Sequence, residues 1–208
     1  MAISSLSKFT VPLPAGQSAT NQGLLFPKLK YRFRVMLENF GVSKPTTEMT
    51  KQVVSCGRPE VTFENKELHV YNSKINYAAK PSWGEISLVL RDDVTNAVSK
   101  LVGEQVQKQF DFFEQSSAAS GSDYKFVTKL EILDGGNGAY DPGVLETFEL
   151  YGCYVIKAKY EDTAYDSSDP LIITLSMRFD NAIQVNTAGQ AVGIGAAVGR
   201  TIRTLATG

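Results

Sequence analysis

The sequence predicts a mainly β protein with a single amphipathic helix laid against a sheet, and three observations predict it. Several segments alternate apolar and polar residues with a period of two. The cleanest is 171–180, where Leu171, Ile173, Leu175, Met177 and Phe179 alternate with Ile172, Thr174, Ser176, Arg178 and Asp180. Second, Val94, Ala97, Val98, Leu101, Val102, Val106, Phe110 and Phe113 recur at spacings of three, four and seven, which places one helical stripe over about 93–114. Third, burying about eight such side chains contributes on the order of 12–24 kcal/mol, while ordering about twenty residues costs on the order of 20–40 kcal/mol. The helix cannot stand alone and must dock on the sheet.

Along the chain, residues 1–23 are rich in Ser, Ala, Thr and Gly and predict a flexible N-terminal arm. The first strand is expected over 30–38, with Tyr31, Phe33, Val35 and Leu37 on one face and Lys30, Arg32, Arg34 and Glu38 on the other. A polar connection containing Pro45 follows over 43–51, then a short strand over 52–56. Gly57, Arg58 and Pro59 break the chain. Residues 61–63, 68–71 and 75–79 read as short extended pieces, and 85–91 as a good strand with Ile86, Leu88 and Leu90 on one face. Asp92 or Asp93 is placed to cap the helix.

Beyond the helix, 115–123 reads as a Ser/Ala/Gly linker. Strands are expected over 124–133 and 145–160, separated by a turn-rich stretch at 134–143. Gly152 sits between Phe148, Leu150, Tyr154 and Ile156, which predicts a bulge or a close backbone approach there. An acidic loop spans 161–170. The Gly/Ala-rich end, 184–208, with Arg200 and Arg203, reads either as a flexible tail or as an arm lying on a neighbouring subunit.

Composition excludes several function classes. The 208-residue chain is 43% apolar and carries 21 Lys plus Arg against 22 Asp plus Glu, a net charge of −1. There is no broad basic face for gripping nucleic acid. The two cysteines, Cys56 and Cys153, are too few for a disulfide framework and read as buried thiols. No secretory signal pattern and no apolar run of about 18 residues is present, so folding in a reducing cytoplasm is expected.

The inventory of reactive groups is thin. His69 is the only histidine, and it sits between Leu68 and Val70 as an ordinary residue of an extended segment, with no nucleophile-elbow motif to serve. One histidine and two separated cysteines do not make a zinc site. Glu161, Asp162, Asp166 and Asp169 lack the spacing and central glycine of a calcium loop and read as a solvated hairpin loop. The Gly135–Gly138 run lacks the Lys-Ser/Thr of a phosphate loop, and the glycines at 193–199 come too late for a strand–helix–strand unit. Trp83, Tyr31, Phe33, Tyr71, Tyr77 and Tyr154 could stack bases, but without a basic surface core or subunit-contact roles are expected. No catalytic, metal or cofactor-binding residues are expected, and the chain reads as a structural or interaction protein, not an enzyme.

Three segments together resemble the tail tube proteins of contractile-tailed bacteriophages. The first runs from Phe26 to Val35, reading Phe-Pro-Lys-Leu-Lys-Tyr-Arg-Phe-Arg-Val. The second runs from Gly57, Arg58, Pro59, Glu60 and Val61 through Tyr77 to Pro81, Ser82, Trp83, Gly84 and on to Leu88, an extended loop returning into a Trp-containing strand before the helix. The third is Thr147–Val155 followed by Asp166, Ser167, Ser168, Asp169 and the strand over 171–180, similar to that family's closing strands. The resemblance covers about 26–183 and leaves out the two ends.

The resemblance implies an antiparallel β-barrel or sandwich with one flanking helix over 24–183, between extended terminal arms. It also implies hexameric rings stacked into a hollow tube, a contractile sheath around it, baseplate and tape-measure partners, and double-stranded DNA passing through the lumen without sequence-specific binding. The place implied is the virion tail, assembled in the host cytoplasm. Head-to-tail rotation closes such rings, and a second heterologous contact stacks them. Within that picture the loop over 61–79 is expected to reach an adjacent ring, with Phe63, Glu64, Lys66, Leu68, Tyr71, Asn72, Lys74 and Tyr77 as contact residues. A baseplate tube-initiator or tail-terminator of the same fold is the nearest alternative, and a small β-barrel ligand carrier a more distant one.

Overall fold

Strand β1 (Phe33–Glu38) starts where its ladder to a partner starts, at Phe33 opposite Ile132. The expected strand over 30–38 is therefore shorter at its beginning. In this computed structural model the described residues are 27–43, 47–136 and 142–197. The expected arm over 1–23, the end of the tail with Arg200 and Arg203, and the centre of the turn at 134–143 lie outside them. Met1–Arg32 and Phe33–Gly208 are separate units. In the first, Arg32 N donates to Leu29 O at 3.2 Å and the Arg32 guanidinium sits 5.5 Å from the Tyr31 ring centre.

In the second unit β1 is followed by a short helix, α1 (Thr47–Gln52), inside the stretch expected to be a polar connection. The reason is Met49, which is fully buried. Next come β2 (Val53–Cys56), β3 (Val61–Val70), β4 (Ser73–Trp83) and β5 (Ile86–Arg91), then the main helix α2 (Ala97–Gln109). After it lie β6 (Phe110–Asp111), β7 (Ser116–Ser117) and the helical turn α3 (Gly121–Tyr124). The chain continues through β8 (Phe126–Leu133), β9 (Val144–Tyr160), β10 (Ile172–Arg178) and β11 (Asn181–Val185).

The strands pair antiparallel in the order β1-β8-β9-β10-β5-β2, with β11 on β9. Strand β9 serves two sheets. Its first half lies between β8 and β11, and its second half carries β10. The change of sheet falls at Gly152, whose φ is +68° and where the β8–β9 register slips. A Cβ at this position would stand 2.2 Å from Asp180 Oδ2. The expected bulge and the expected close approach are both present. The sheets do not close into a barrel. They face each other as a sandwich over one core in which Val35, Leu130 and Leu150 meet Leu88, Leu90 and Leu175.

Helix α2 is shorter than its apolar stripe. Val98, Leu101 and Val102 are buried as expected, but Val94 and Phe113 are almost fully exposed and Phe110 partly so. At the start, Asn96 adopts φ 58°, which breaks the helix before Val94 can join it. The N-cap is Asn96, whose side chain makes no capping bond, and not Asp92 or Asp93 as expected. The two acids instead reach first-turn donors from further back, Asp93 accepting from Ala97 N at 3.5 Å and Asp92 from Ser99 N at 3.4 Å. At the end, the Asp111 carboxylate accepts from Phe113 N at 2.8 Å and Glu114 N at 3.1 Å, a turn that competes with another helical turn.

Polar side chains of α2 clasp the rest of the fold. Gln105 is fully buried; its amide accepts from Gly41 N at 2.9 Å and donates to Tyr124 O at 2.7 Å. Glu104 accepts from Val42 N, Ser43 N and Ser43 Oγ at 2.9, 2.7 and 2.5 Å. Gln109 bonds both backbone groups of Val155, each at 2.8 Å, and so occupies the open edge of β9 as a strand would.

Strand β11 was not among the expected elements. Residues after it fold back: Gln184 N donates to Ile194 O at 2.8 Å and Val192 N to Gln184 O at 2.7 Å.

Candidate functional site

The expected short pieces over 61–63, 68–71 and 75–79 form one continuous ribbon. β3 and β4 pair from Val61 opposite Trp83 to Val70 opposite Ser73. Strands of 10 and 11 residues at about 3.3 Å per residue reach roughly 30 Å. The ribbon pairs with no strand of the sandwich, and almost every residue in it is exposed. Among the described residues no strand pairs with either of its long edges.

Its root is fastened on both sides. Gly57 N donates to Ser87 O and Gly84 N to Glu60 O, each at 2.9 Å. Arg58 lies 5.1 Å from the Phe148 ring centre and 3.3 Å from the buried Glu146 carboxylate. Trp83 packs on Phe179 with ring centres 5.3 Å apart.

Alternation divides the ribbon into two faces beyond a register shift between Phe63 and Asn65. One face carries Lys66, Leu68 and Val70 opposite Tyr77, Ile75 and Ser73. Leu68 and Ile75 face each other directly, and with Tyr77 each is about half exposed. The other face is polar: Glu67 pairs with Lys74 at 3.1 Å, and His69 Nε2 stands 4.0 Å from the same carboxylate. At the tip Tyr71 has φ 46° and its side chain is entirely exposed. A non-glycine residue in the left-handed region costs about 1–2 kcal/mol, and glycine or asparagine would hold such a turn at lower cost.

The residues expected to make contacts thus fall in different places. Lys66, Leu68 and Tyr77 share the apolar face, while Tyr71 and Asn72 form the tip. Lys74 lies on the polar face, and Glu64, ion-paired to Lys66, sits at the register shift. Phe63 is exposed nearer the root, opposite Pro81. Sequence reasoning missed Val70 and Ile75. The period-two rule applied across 66–70 and 73–77 would have found both.

A second apolar surface lies at the end of α2. A recess of about 480 Å³ is lined by Val106, Phe110, Phe112, Ile156 and Tyr160 among others. Phe110 and Phe112 meet edge to face at 5.2 Å. Phe112 and Phe113, with Ile156 and Tyr160, leave large apolar area in water.

Burial first, then the neighbouring Cys153, pushes the Cys56 thiol up to about 12, and burial pushes Cys153 up to about 11. Both cysteines are free. Among the described residues no group of His, Cys, Asp and Glu is placed to hold a metal ion, and no helix is long and apolar enough to cross a membrane.

No protein-family model and no curated protein matches the sequence. Solved structures match the fold. A chain of the anti-feeding prophage baseplate aligns with 15% identity and a TM-score of 0.54, over 79% of this chain and 99% of that one. The tube-terminating cap of the anti-feeding prophage aligns with 13% identity and a TM-score of 0.57, over 79% and 94%. A chain of an extracellular contractile injection system, from its extended sheath-tube complex, aligns with 13% identity and a TM-score of 0.55, over 85% and 100%. This protein has the fold that baseplate, cap and sheath-tube components of contractile injection systems share.

Proposed function

We propose that this chain is a structural subunit of a contractile tail, forming hexameric rings that stack into a hollow tube inside a sheath. The observation that carries this reading is the β3–β4 ribbon. A two-stranded hairpin with one apolar face is marginal in water by itself, and here, beyond its fastened root, it pairs with no strand of its own sandwich. Such a ribbon completes its burial on another molecule. The aromatic recess at the end of α2 and the shared fold support the same reading.

In the assembled tail the ribbon reaches the adjacent ring, with Leu68, Tyr71, Ile75 and Tyr77 buried there. The conduit passes double-stranded DNA, as a virion tail requires, and the tube meets baseplate and tape-measure proteins at assembly in the host cytoplasm. Residues 1–23 are the N-terminal arm of the domain expected over 24–183, which β11 and its return to Ile194 extend into the stretch expected to be a tail. The subunit performs no chemistry.

Negative-stain micrographs of the purified full chain test the proposal. Rings or tubes of uniform width are expected, and monomers persisting across salt and concentration would sink it. Deleting the ribbon tip should abolish stacking while leaving the sandwich folded. Because the fold is shared with a cap and a baseplate chain as well as a sheath-tube chain, a terminal ring is the second reading. Copy number per particle separates the two: many rings for a tube subunit, one for an initiator or terminator.

A further inference from the structure

The outward face of the sheet formed by the second half of β9 with β10 and β5 is basic, and the chain leaves it largely uncompensated. Lys159 and Thr174 lie side by side in one cross-strand row, and Lys157, Ser176 and Ser87 in the next. The alternating residues Leu88, Leu175 and Met177 are buried, so these rows point outward. Arg91 and Arg178 extend the same face. Arg178 has Glu85 at 3.5 Å. Among the described residues Arg91, Lys157 and Lys159 form no ion pair.

The other sheet is built differently. On its outward face Arg34 pairs with Glu131 at 2.6 Å, and Lys129 with Glu38 at 2.8 Å and Glu149 at 3.6 Å. Charge there is balanced within one copy. On the basic face, among the described residues, only Arg178 has such a partner, Glu85.

Its complement is on the same chain. The β9–β10 connection, residues 161–171, is exposed throughout and carries Glu161, Asp162, Asp166 and Asp169 with no lysine or arginine. Among the described residues none of these acids forms an ion pair. Glu161 N continues the ladder to Ile172 O at 3.2 Å, so the connection leaves from the end of the basic face; among the described residues its acids nevertheless form no ion pair with Arg91, Lys157 or Lys159.

We propose that the acidic β9–β10 connection of one copy docks on the basic β9–β10–β5 face of the next. The contact is heterologous, and repeating it by rotation closes a ring. It rests on the self-assembly reading above and adds a surface that the ribbon does not use. A second copy fits better than a nucleic acid. A duplex is held by many phosphate contacts, commonly about 6–10, whereas this face offers four cations, one of them already beside a carboxylate. The chain as a whole is also slightly acidic.

Charge reversal tests it on the full chain. Lys157→Glu with Lys159→Glu makes the face acidic, and Asp162→Lys with Asp166→Lys makes the connection basic. Each double variant should keep the wild-type circular dichroism spectrum. Each should raise the concentration needed for sedimentable assemblies by on the order of 100-fold at low salt, because like charges now meet. An equimolar mixture of the two should recover assembly, since each then supplies what the other lacks. Wild-type assembly should weaken as salt rises.

Variants that assemble like wild type, or a mixture that does not recover, overturn the contact while the tube reading stands. Loss of duplex DNA binding by the face variant without recovery in the mixture has the same consequence and assigns the face to nucleic acid. If the wild type forms no particles at all, the tube reading fails, and disulfide trapping decides the contact. Lys157→Cys mixed with Asp166→Cys at high concentration under mild oxidation should give crossed dimers. Their absence overturns it.

Discussion

Replacing Tyr71 by glycine separates what the ribbon tip does for folding from what it does for assembly. The tyrosine holds φ 46° with its ring wholly in water, so truncating it removes no burial from the isolated molecule. Glycine relieves about 1–2 kcal/mol of left-handed strain, while its freer unfolded chain takes back about 0.5–1 kcal/mol. The net lies between neutral and about 1.5 kcal/mol stabilising, a rise in Tm of at most about 6 °C for a domain of this size. On a neighbouring molecule the ring would bury about 150 Å² or more, and aromatic anchors of that kind typically cost about 2 kcal/mol when removed. At about 1.4 kcal/mol per tenfold, the critical concentration for assembly should rise roughly 30-fold. Thermal melting and quantitative sedimentation of wild type, Tyr71→Gly and Tyr71→Phe measure both quantities, with the phenylalanine variant assembling close to wild type. If Tyr71→Gly assembles at the wild-type concentration, the ring is not buried in the assembly and the reasoning is wrong.

Gly152→Ala should lower stability by about 2–3 kcal/mol, because a Cβ meets Asp180 2.2 Å away and the backbone is left-handed; urea unfolding checks it, and a wild-type midpoint refutes it. Gln105→Ala should cost about 2–4 kcal/mol, since Gly41 N and Tyr124 O both lose their partner in a buried setting. Three donors, the Ser43 hydroxyl foremost, hold the Glu104 carboxyl down to about 2 from its ordinary 4.5. A lowered folded-state pKa means that the stability Glu104 supplies is present above 4.5 and is lost as the pH falls from there towards about 2. Glu104→Gln should flatten the acid limb of the stability profile over that interval. With Cys56 and Cys153 pushed up to about 12 and about 11, native protein at pH 8 should react with a thiol reagent far more slowly than unfolded protein.

The sandwich was legible in the sequence because one face of each strand is buried and the other is not. β10 is the plainest case, with Ile173, Leu175 and Met177 buried and Ile172, Thr174 and Ser176 only partly so. The helix was legible as an element but not in extent. A stripe from Val94 to Phe113 satisfies helical spacing, yet Asn96 at positive φ and the Asp111 turn end it at both sides. Periodicity registers apolar residues and not which competing local hydrogen bonds win. Helix α1 has no signature in the sequence because a single buried residue, Met49, holds it within a polar segment. β11 escaped because Asn181–Val185 is stabilised by its ladder to β9, a partner some thirty residues earlier in sequence. The ribbon reads as fragments in the sequence for a related reason: Glu64 and Lys80 interrupt the apolar alternation near its register shift.

What the ribbon, the recess and the charged face have in common is that each violates the usual economy of a free-standing domain. Surface tyrosines, phenylalanines and leucines scattered singly would need no account. Here they gather on one face of a detached hairpin and around one end of α2. The exposed β9 edge beside that recess is meanwhile occupied by a side chain, Gln109, instead of being left for another strand. A fold that guards one edge this way while leaving two apolar surfaces and a basic sheet face in water is not simply poorly finished. The pattern is selective, and selectivity of that kind fits a molecule whose neighbours complete it at defined places. Monomer stability and assembly should consequently respond to different residues: Gly152, Gln105 and Glu104 for the first, Tyr71, Lys157 and Lys159 for the second. A substitution from the second group that unfolded the isolated chain would show that these surfaces belong to the fold and not to the assembly.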